Sequence, residues 1–522
     1  MSSGTVAAPP VSGTGAATRG PVAGLALLGV MAGAQGADPN VASTALVGAG
    51  RGLGMSGDLL ALAASISTLV LSATVISTGL LADRLGRRGV LMAALVLAAV
   101  GDLLVAGAPA SPLYLLGRAL AGIGFGAVFG AAFAYIRAIT PPDRIAGAMG
   151  VFGAVSGGTA LVLTFLGGAL ASVHWRLAFV VLPVVALLCV PAVRALLPAQ
   201  EPRPDGPTDY PGQVLLALGV VGVLYGFSHA ASGLTSPATL GPLLGGFALL
   251  AAFAWRERAS GAGEDRRFFP VELFRRPVFL AAVCAGFVYN FGTAVGFLQL
   301  TNLWQYVTGL STLSVSLWQL PFLVSGIAAA VVVGRAMTRG LAAAAVVGIG
   351  TLTSAVGFVL LAVLHSSTSL WGFLPGSILL GGGVIIASLP YGTLIISQAD
   401  ARYFGPVTSA RTTIGQFYYA AGLALSTVLI DRLTTGGVVR RLTEAGVPPT
   451  QTGQGLDAVT AFAAAGTQPD TALGQPALGA ATGSYASGFV VTMLVCAVLA
   501  LVVGGAGWLL LRRSAQAPPA SR

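Results

Sequence analysis

Two long apolar runs are joined by the charged turn Gly79-Leu80-Leu81-Ala82-Asp83-Arg84-Leu85-Gly86-Arg87-Arg88-Gly89. Gly86 permits a tight turn because glycine lacks a Cβ atom, and Gly79 allows neighbouring helices to pack closely. Asp83 stands where a fixed carboxylate accepts charge-assisted hydrogen bonds from arginines or from a helix N-terminus. The pattern predicts a short loop at a membrane surface, with a helix crossing the bilayer on each side of it.

The composition of the chain excludes a soluble protein. Of its 522 residues, 55% are hydrophobic and 8% are charged, and the mean hydropathy is +0.86. Soluble domains carry roughly 25% charged residues because their surface faces water. A bilayer solvates apolar surface instead, and the 73 glycines suit the close packing of membrane helices. We therefore predict an all-α polytopic membrane protein.

Fourteen apolar segments have the length of about 20 residues that a membrane-spanning helix needs. They form a group of six, a pair and a second group of six. The predicted spans lie near 22–48, 58–81, 90–108, 112–136, 146–172, 176–197, 211–231, 238–255, 278–306, 313–334, 341–364, 371–397, 408–430 and 485–511.

The arginines indicate the orientation. All 27 basic residues are arginine, and the formal net charge is +10. With the N-terminus inside, the inner segments hold 21 arginines, and Arg118 lies within a span. Such an excess is typical of cytoplasmic loops, so the pattern predicts that both termini are in the cytoplasm. The absence of lysine and the bias toward alanine, glycine and arginine are typical of a GC-rich bacterial genome, which predicts a bacterial inner-membrane protein. Topology explains the charge better than a nucleic-acid partner does. The outer segments hold five arginines, Arg51, Arg176, Arg432, Arg440 and Arg441.

The segments give the expected organisation of the chain. A long outer loop at 436–484 is rich in small and polar residues. It either covers the outer mouth of the protein or is mobile, and its composition favours a mobile loop. The expected order is a disordered cytoplasmic tail at 1–20, an N-terminal six-helix half at 21–197, a cytoplasmic linker at 198–210, two additional transmembrane helices at 211–256, a cytoplasmic basic loop at 257–276, a C-terminal six-helix half at 277–512 and a cytoplasmic tail at 513–522.

A weaker copy of the charged turn occurs at Gly334-Arg335-Ala336-Met337-Thr338-Arg339-Gly340. Three of its residues, Gly334, Thr338 and Arg339, follow their counterparts in the first turn at a constant offset of 255 residues. The first turn resembles the signature loop of the major facilitator superfamily. The copy fits the two homologous six-helix halves of that fold, which implies a substrate site at the midplane between them.

The resemblance implies that the first turn is a conformational latch on the inner side. Bonds between arginines and the carboxylate would hold that side shut in one conformation and break in the other. The alternative is that the arginines only anchor the topology. The copy lacks the carboxylate, so a strong latch is expected in one half only. The predicted latch residues are Gly79, Asp83, Arg84, Gly86, Arg87 and Arg88.

The whole chain resembles the fourteen-spanner drug:proton antiporter family. The fifth span departs from that family, since Leu163-Thr164-Phe165-Leu166-Gly167-Gly168 keeps the paired glycines but lacks a Gly-Pro element associated with export. The stretches that carry the resemblance are Asp38-Pro39-Asn40-Val41-Ala42-Ser43-Thr44-Ala45-Leu46, Leu116-Gly117-Arg118-Ala119-Leu120-Ala121-Gly122, His174-Trp175-Arg176 and Phe274-Arg275-Arg276-Pro277.

Asp38, Asp102 and Arg118 lie inside predicted spans, where an ionisable group costs about 2.5–3.5 kcal/mol. Pro39 removes a backbone hydrogen bond, so we expect a local break with a free carbonyl beside Asp38, or else an irregularity facing an outer vestibule. Asp102 and Arg118 flank the turn at 108–111 at matching distances and are expected to pair. The pair is either static, or part of a proton-coupling device in which Arg118 holds a carboxylate ionised when close and releases it when helices move.

The second half has no clear mid-span carboxylate but is rich in amides and aromatic rings. These side chains suit a bulky, partly apolar ligand held by few hydrogen bonds. They are also typical of interfacial belts and of contacts between helices. The candidate substrate-binding residues are Asn290, Gln299, Asn302, Trp318, Gln319, Tyr391, Gln416 and Tyr419.

The chain shows no nucleophile–base pair, metal-ligand cluster or nucleotide loop, so we expect no enzymatic activity, metal or cofactor. The three cysteines fall in apolar segments and the three histidines are scattered. The leading hypothesis is a monomeric, proton-coupled exporter of amphipathic small molecules that works by alternating access. Its expected partners are substrate, protons and membrane lipid. The alternatives are an uptake symporter or facilitator, and a membrane receptor that does not transport.

Overall fold

The structure is a computed structural model that describes residues 20–55, 57–141, 144–200, 209–230, 233–259, 269–310, 312–365, 369–398, 404–448, 451–457, 459 and 473–516. Within these ranges the regular structure is helical and contains no β-strand. Helices satisfy their own backbone hydrogen bonds, which hydrocarbon cannot do. The tail at 1–19 lies outside the described residues, as do parts of the predicted linker, basic loop and C-terminal tail.

Six helices form the N-terminal half, and two more follow it. Within the N-terminal half, turns of one to five residues join consecutive helices and reverse the chain, so that neighbouring helices in the sequence are antiparallel. The helices are α1 (Gly20–Leu53), α2 (Gly57–Leu85), α3 (Arg87–Ala106), α4 (Ser111–Ile139), α5 (Ile145–Val173), α6 (Trp175–Leu196), α7 (Tyr210–Ser228) and α8 (Pro237–Ala259).

The C-terminal half contains one broken helix, because Pro321 interrupts the backbone hydrogen bonding next to Gln319. Two short 3-10 helices, Val271–Arg275 and Leu370–Gly372, precede membrane helices. A short helical stretch at 451–457 lies between the last two long helices. The other helices of this half are α9 (Pro277–Tyr306), the short α10 (Thr312–Trp318), α11 (Leu320–Thr338), α12 (Ala343–Val363), α13 (Phe373–Gln398), α14 (Phe404–Glu444) and α15 (Gly474–Gln516).

The predicted fold class is confirmed. Among the described residues, thirteen helices are long and apolar enough to cross a membrane, and α1, with 34 residues, is long enough to be the fourteenth. Helices α1–α6 pack together, as do α9–α15, and α7 pairs with α8 beside α2 and α14. The bundle therefore consists of two six-span halves and two additional helices.

The expected break at Pro39 is wrong, because α1 continues through this residue. One missing backbone hydrogen bond does not end the helix here. The surrounding helices hold α1 on both sides of the proline: Gly33 lies against Thr159 of α5, and Gly48 lies against Trp175 of α6. Asp38 is therefore presented from a continuous helix.

The prediction of a loop throughout 436–484 is wrong for both of its ends. Helix α14 runs on to Glu444, and α15 begins at Gly474, ten residues before the predicted end. These extensions have the small apolar side chains that let two helices pack without a wide hydrophobic run. The buried cluster between them consists of Val438, Leu442, Ala477, Ala480 and Ala481.

The two halves meet near one face of the bundle, the terminal face, at which α1 begins and α15 ends. Helix α5 approaches α11 so closely that a Cβ atom on Gly150 would lie 2.8 Å from the carbonyl oxygen of Ala330. Helix α14 reaches across to the first half, where the Thr413 hydroxyl donates a hydrogen bond to the Ser72 carbonyl (3.3 Å). These contacts close the terminal face.

The approach of α5 to α11 predicts an engineered disulfide between the halves. A Cβ atom on Gly153 would lie 3.6 Å from the Cβ atom of Ala330, within the range of about 3.5–4.5 Å that a disulfide needs. In a chain whose three native cysteines are replaced by serine, Gly153→Cys with Ala330→Cys should cross-link almost completely under mild oxidation. Mass spectrometry of the linked peptides measures the yield.

The matched control is Gly158→Cys with Ala330→Cys, since a Cβ atom on Gly158 would have no neighbour within 4 Å. Equal cross-linking of both pairs, or none at Gly153, would contradict the described packing of the two halves.

Candidate functional site

Helices α3 and α4 bring Asp102 and Arg118 together. The two helices form an antiparallel hairpin whose backbones touch through glycines, since a Cβ atom on Gly117 would lie 2.6 Å from the Gly101 carbonyl oxygen. Asp102 precedes the turn by about as many residues as Arg118 follows it, so their side chains meet at one depth. The expected Asp102–Arg118 pair is present in the structure.

Arg118 binds two carboxylates at once. Its Nη1 lies 2.6 Å from Oδ1 of Asp38 and its Nη2 donates to Oδ2 of the same residue at 2.9 Å, a bidentate arrangement. Nη1 also lies 3.2 Å from Oδ1 of Asp102. The Ser67 hydroxyl donates to Oδ2 of Asp38 at 2.9 Å. The cluster thus joins α1, α2, α3 and α4.

The cluster is sealed from solvent. The exposed fractions are 3% for Asp38, 0% for Asp102 and 1% for Arg118. Aromatic rings cover it, with the Phe179 ring centroid 5.6 Å from the guanidinium carbon. The Tyr114 ring packs against Phe179 at a centroid distance of 5.9 Å, one helical turn from Arg118. The three charged groups therefore lie in the interior of the N-terminal half rather than at the junction of the halves.

The charges of the cluster do not balance. Two carboxylates share one guanidinium, so the cluster is neutral only when one carboxyl holds a proton. An uncompensated charge inside a protein costs several kcal/mol. The arrangement can therefore take up or release a proton in step with any movement of the four helices it joins.

Sequence reasoning missed the second helix of this cluster. Ser67 lies on α2 among other small hydroxyl residues, and nothing in its spacing distinguishes it. Tyr114 and Phe179 were missed too. Their covering role depends on a ring contact between α4 and α6, which a single sequence does not reveal.

The charged turn at the terminal face has the predicted geometry at Gly86, whose φ is +92°. Arg87 Nε donates to Oδ1 of Asp83 at 2.8 Å, and Arg87 Nη1 donates to Oε1 of Gln200 at 2.9 Å. Gly79 is buried within the helix packing, and Arg84 and Arg88 are half-buried. The turn is thereby tied to the segment that follows α6. Gln200 was not among the predicted latch residues.

The second turn takes part in the contact between the halves. The Thr338 side chain approaches Gly147 at the start of α5, and Gly340 adopts a φ of +101°. Thr338 Oγ1 donates to the Arg335 carbonyl of its own helix. This turn therefore contributes packing where the first contributes an ion pair.

Two predicted substrate residues are engaged in helix packing instead. Gln299 is buried, its Nε2 donates to Ser426 (2.8 Å) and its Oε1 accepts from Tyr485 (3.3 Å). Gln319, at the break between α10 and α11, donates from Nε2 to Thr301 Oγ1 of α9 at 2.5 Å. Their amide groups are used within the protein, so the geometry assigns these two residues to contacts between helices.

Other candidates lie at different places in the second half. Asn290 donates to the Gly286 carbonyl (2.8 Å) within α9, and the Trp318 ring lies edge-on to Trp371 with centroids 5.4 Å apart. Tyr391 is buried, and its hydroxyl donates to the Arg411 carbonyl. Five of the eight candidates are half-buried: Asn290, Asn302, Trp318, Gln416 and Tyr419.

Arg411 was counted among the inner arginines, but it is buried within α14. Its guanidinium carbon lies 4.7 Å from the Tyr391 ring centroid, a cation–π contact. The second half thus has a buried arginine in its membrane region, and its position inside the predicted span 408–430 was the available signal.

The described residues contain no group of three or more histidine, cysteine, aspartate or glutamate side chains that would hold a metal ion. Two six-helix halves that close at one face, with a charge cluster buried in one half, define a secondary transporter. This is the class of protein that the fold and the site describe.

Comparison with known proteins gives the family. The Major Facilitator Superfamily profile matches residues 23–423, and the chain belongs to this superfamily of transporters. It is 30% identical over 427 residues to the puromycin resistance protein pur8 of Streptomyces alboniger, covering 80% of this chain and 82% of that protein. It is 26% identical over 454 residues to the multidrug efflux pump LfrA of Mycolicibacterium smegmatis, covering 86% and 88%. The fold matches the human organic anion transporter MFSD10 with a TM-score of 0.59 at 15% identity, covering 94% and 98%.

The buried cluster predicts a large effect of Arg118 on stability. Arg118→Ala leaves two buried carboxylates without their cation, so it should destabilise the protein by about 3 kcal/mol. The thermal unfolding midpoint in detergent, followed by intrinsic fluorescence, measures the change. Arg51→Ala is the matched control, because Arg51 is exposed.

Adding Asp38→Asn and Asp102→Asn to Arg118→Ala should restore part of the lost stability, because no unpaired charge then remains in the cluster. A midpoint for Arg118→Ala equal to that of the wild type would show that the ion cluster does not stabilise the fold.

Proposed function

We propose that this transporter exports amphipathic small molecules in exchange for protons. The observation that carries the proposal is the cluster of Asp38, Asp102 and Arg118, in which two carboxylates share one guanidinium inside a sealed apolar environment. A group that must be neutral in hydrocarbon binds or releases a proton when its surroundings change. That property is what a proton-driven carrier requires.

The names of the relatives support export and the type of substrate. One is a puromycin resistance protein, and another is a multidrug efflux pump. Both align over most of their length with this chain. Resistance and efflux are consistent with outward movement of chemically diverse, partly apolar compounds, for which many apolar contacts and few hydrogen bonds suffice.

The contact between the halves supports alternating access. The halves touch at the terminal face through α5 with α11 and through α14 with α2. The excess of arginines supports a cytoplasmic location for this face, and in the proposed scheme the conformation is outward-facing. Proton uptake from outside would weaken the attraction between a carboxylate and Arg118, loosen the four joined helices and allow the halves to rock. The protein acts as a monomer in this scheme, in contact with membrane lipid.

The ion pair at the Asp83 turn would stabilise the closed terminal face. Arg87 donates to both Asp83 and Gln200, so the turn after α2 is fixed to the segment that follows α6. Opening of the terminal face would require these contacts to rearrange, and the turn therefore sets the relative populations of the two states.

Asp38→Asn should abolish proton-driven transport. The substitution leaves Arg118 with Asp102 alone, a neutral pair that needs no proton, so the cluster loses its coupling site. In everted membrane vesicles energised by respiration, we expect accumulation of ethidium or puromycin to fall to the level of vesicles that lack the protein. Fluorescence quenching measures ethidium, and filtration measures puromycin.

Asp431→Asn serves as the control because Asp431 is exposed and lies outside the cluster. Size-exclusion chromatography of the solubilised variants confirms that they are folded. Undiminished transport by Asp38→Asn would refute the coupling scheme, and accumulation in right-side-out vesicles would favour the uptake alternative.

Asp83→Asn should reduce the rate of transport several-fold with little loss of stability. The Asp83–Arg87 pair is partly exposed, with 14% of each side chain accessible, and such pairs contribute about 0–1 kcal/mol to folding. The substitution should therefore lower the initial rate of ethidium transport and leave the unfolding midpoint nearly unchanged. Equal, large losses of both would indicate a purely structural turn.

A further inference from the structure

The two carboxylates of the buried cluster have unequal partners. Asp38 accepts three hydrogen bonds, two from Arg118 and one from Ser67, all at 2.9 Å or less. Asp102 receives one longer contact, 3.2 Å, at Oδ1. Its Oδ2 is buried and has no hydrogen-bond partner among the described residues. An ionised carboxylate needs hydrogen-bond donors at both oxygens, and Asp38 has them whereas Asp102 does not.

The position of Asp102 on its helix adds to this difference. Asp102 lies four residues before Ala106, where α3 ends and its unpaired carbonyl groups carry partial negative charge. This charge disfavours a second negative group nearby. Asp38 lies in the middle of α1, away from either end of the helix.

Apart from Arg118, no positively charged side chain faces Asp102 among the described residues. Helix α1 contributes Asp38, and α4 contributes Arg118 and the uncharged hydroxyl of Tyr114. Helix α6 contributes the Phe179 ring over Arg118, while its Arg176 donates to the Ala108 carbonyl in the turn beyond α3. Arg118 is therefore the shared cation, and its geometry commits it mainly to Asp38.

From these contacts we infer that the coupling proton resides on Oδ2 of Asp102, and that Asp38 remains ionised as the fixed partner of Arg118. When the proton leaves Asp102 for water, the new carboxylate competes with Asp38 for Arg118 and pulls α3 and α4 against α1. One proton is released per carboxyl group and no other bond changes. The role in transport rests on the proposed function, but the location of the proton is testable without substrate.

Infrared spectroscopy of the purified full-length chain at pH 7 tests the location. A neutral carboxylic acid in an apolar site has a carbonyl stretching band separate from that of carboxylates. We expect this band in the wild type, its loss in Asp102→Asn and its retention at a shifted frequency in Asp102→Glu. The second variant keeps the test valid when the first is unstable.

Two further variants identify competing sources of the band. Ser67→Ala removes a hydrogen bond from Asp38 only, so it should leave the band unshifted; a shift would place the proton on Asp38 and overturn the assignment. Glu257 is also buried, so Glu257→Gln should leave the Asp102 component intact. Absence of the band from the wild type, or its persistence unchanged in Asp102→Glu, would likewise overturn it.

Transport separates this inference from the proposed function. In proteoliposomes, Asp102→Asn should lose ethidium accumulation driven by a pH gradient but keep ethidium exchange without a gradient, because it mimics the neutral form. Gradient-driven accumulation equal to that of the wild type would overturn the assignment. Failure of the wild-type protein to respond to a pH gradient would refute the proposed function and leave the infrared result unaffected.

Discussion

The bidentate contact between Arg118 and Asp38 is the interaction on which the N-terminal half depends. A lone guanidinium is costly in hydrocarbon, so Arg118 is tolerated only with a carboxylate in direct contact. Because the carboxylate comes from α1 and the guanidinium from α4, the requirement for charge pairing fixes how these two helices cross. Asp102 and Ser67 extend the same requirement to α3 and α2. Four helices thus share one electrostatic constraint.

The two halves satisfy their buried polar groups by different chemistry. In the first half, the buried centre consists of two carboxyl groups and one guanidinium, and it is neutral only when one carboxyl group holds a proton. In the second half, Gln299 joins Ser426 and Tyr485 through neutral hydrogen bonds, and Arg411 lies over an aromatic ring. Neutral networks do not change charge with pH near neutrality. Under the proposed function, proton coupling therefore belongs to the first half, and the second half contributes neutral contacts between helices.

The sequence predicted those features that follow from local spacing. Spans were recognisable from length and composition, and the Asp102–Arg118 pair followed from equal distances to one turn. Asp38 joins this pair through a crossing of α1 with α4 that spacing cannot reveal. The helical ends of the 436–484 segment were missed because alanines and a few aliphatic residues are enough for two helices that support each other. The contacts of Gln299 with Ser426 and Tyr485 could not be predicted, because an amide that holds helices together and one that binds a ligand have the same appearance in a sequence.

The glycine-lined approach of α5 to α11 has a consequence for the speed of conformational change. Where side chains of two helices interdigitate, their van der Waals contacts must be lost before the helices separate, which adds an enthalpic barrier. Gly147, Gly150 and Gly153 present bare backbone instead, so the surfaces part without such unlocking. The barrier to opening this face is then governed by how water and lipid tails fill the widening gap.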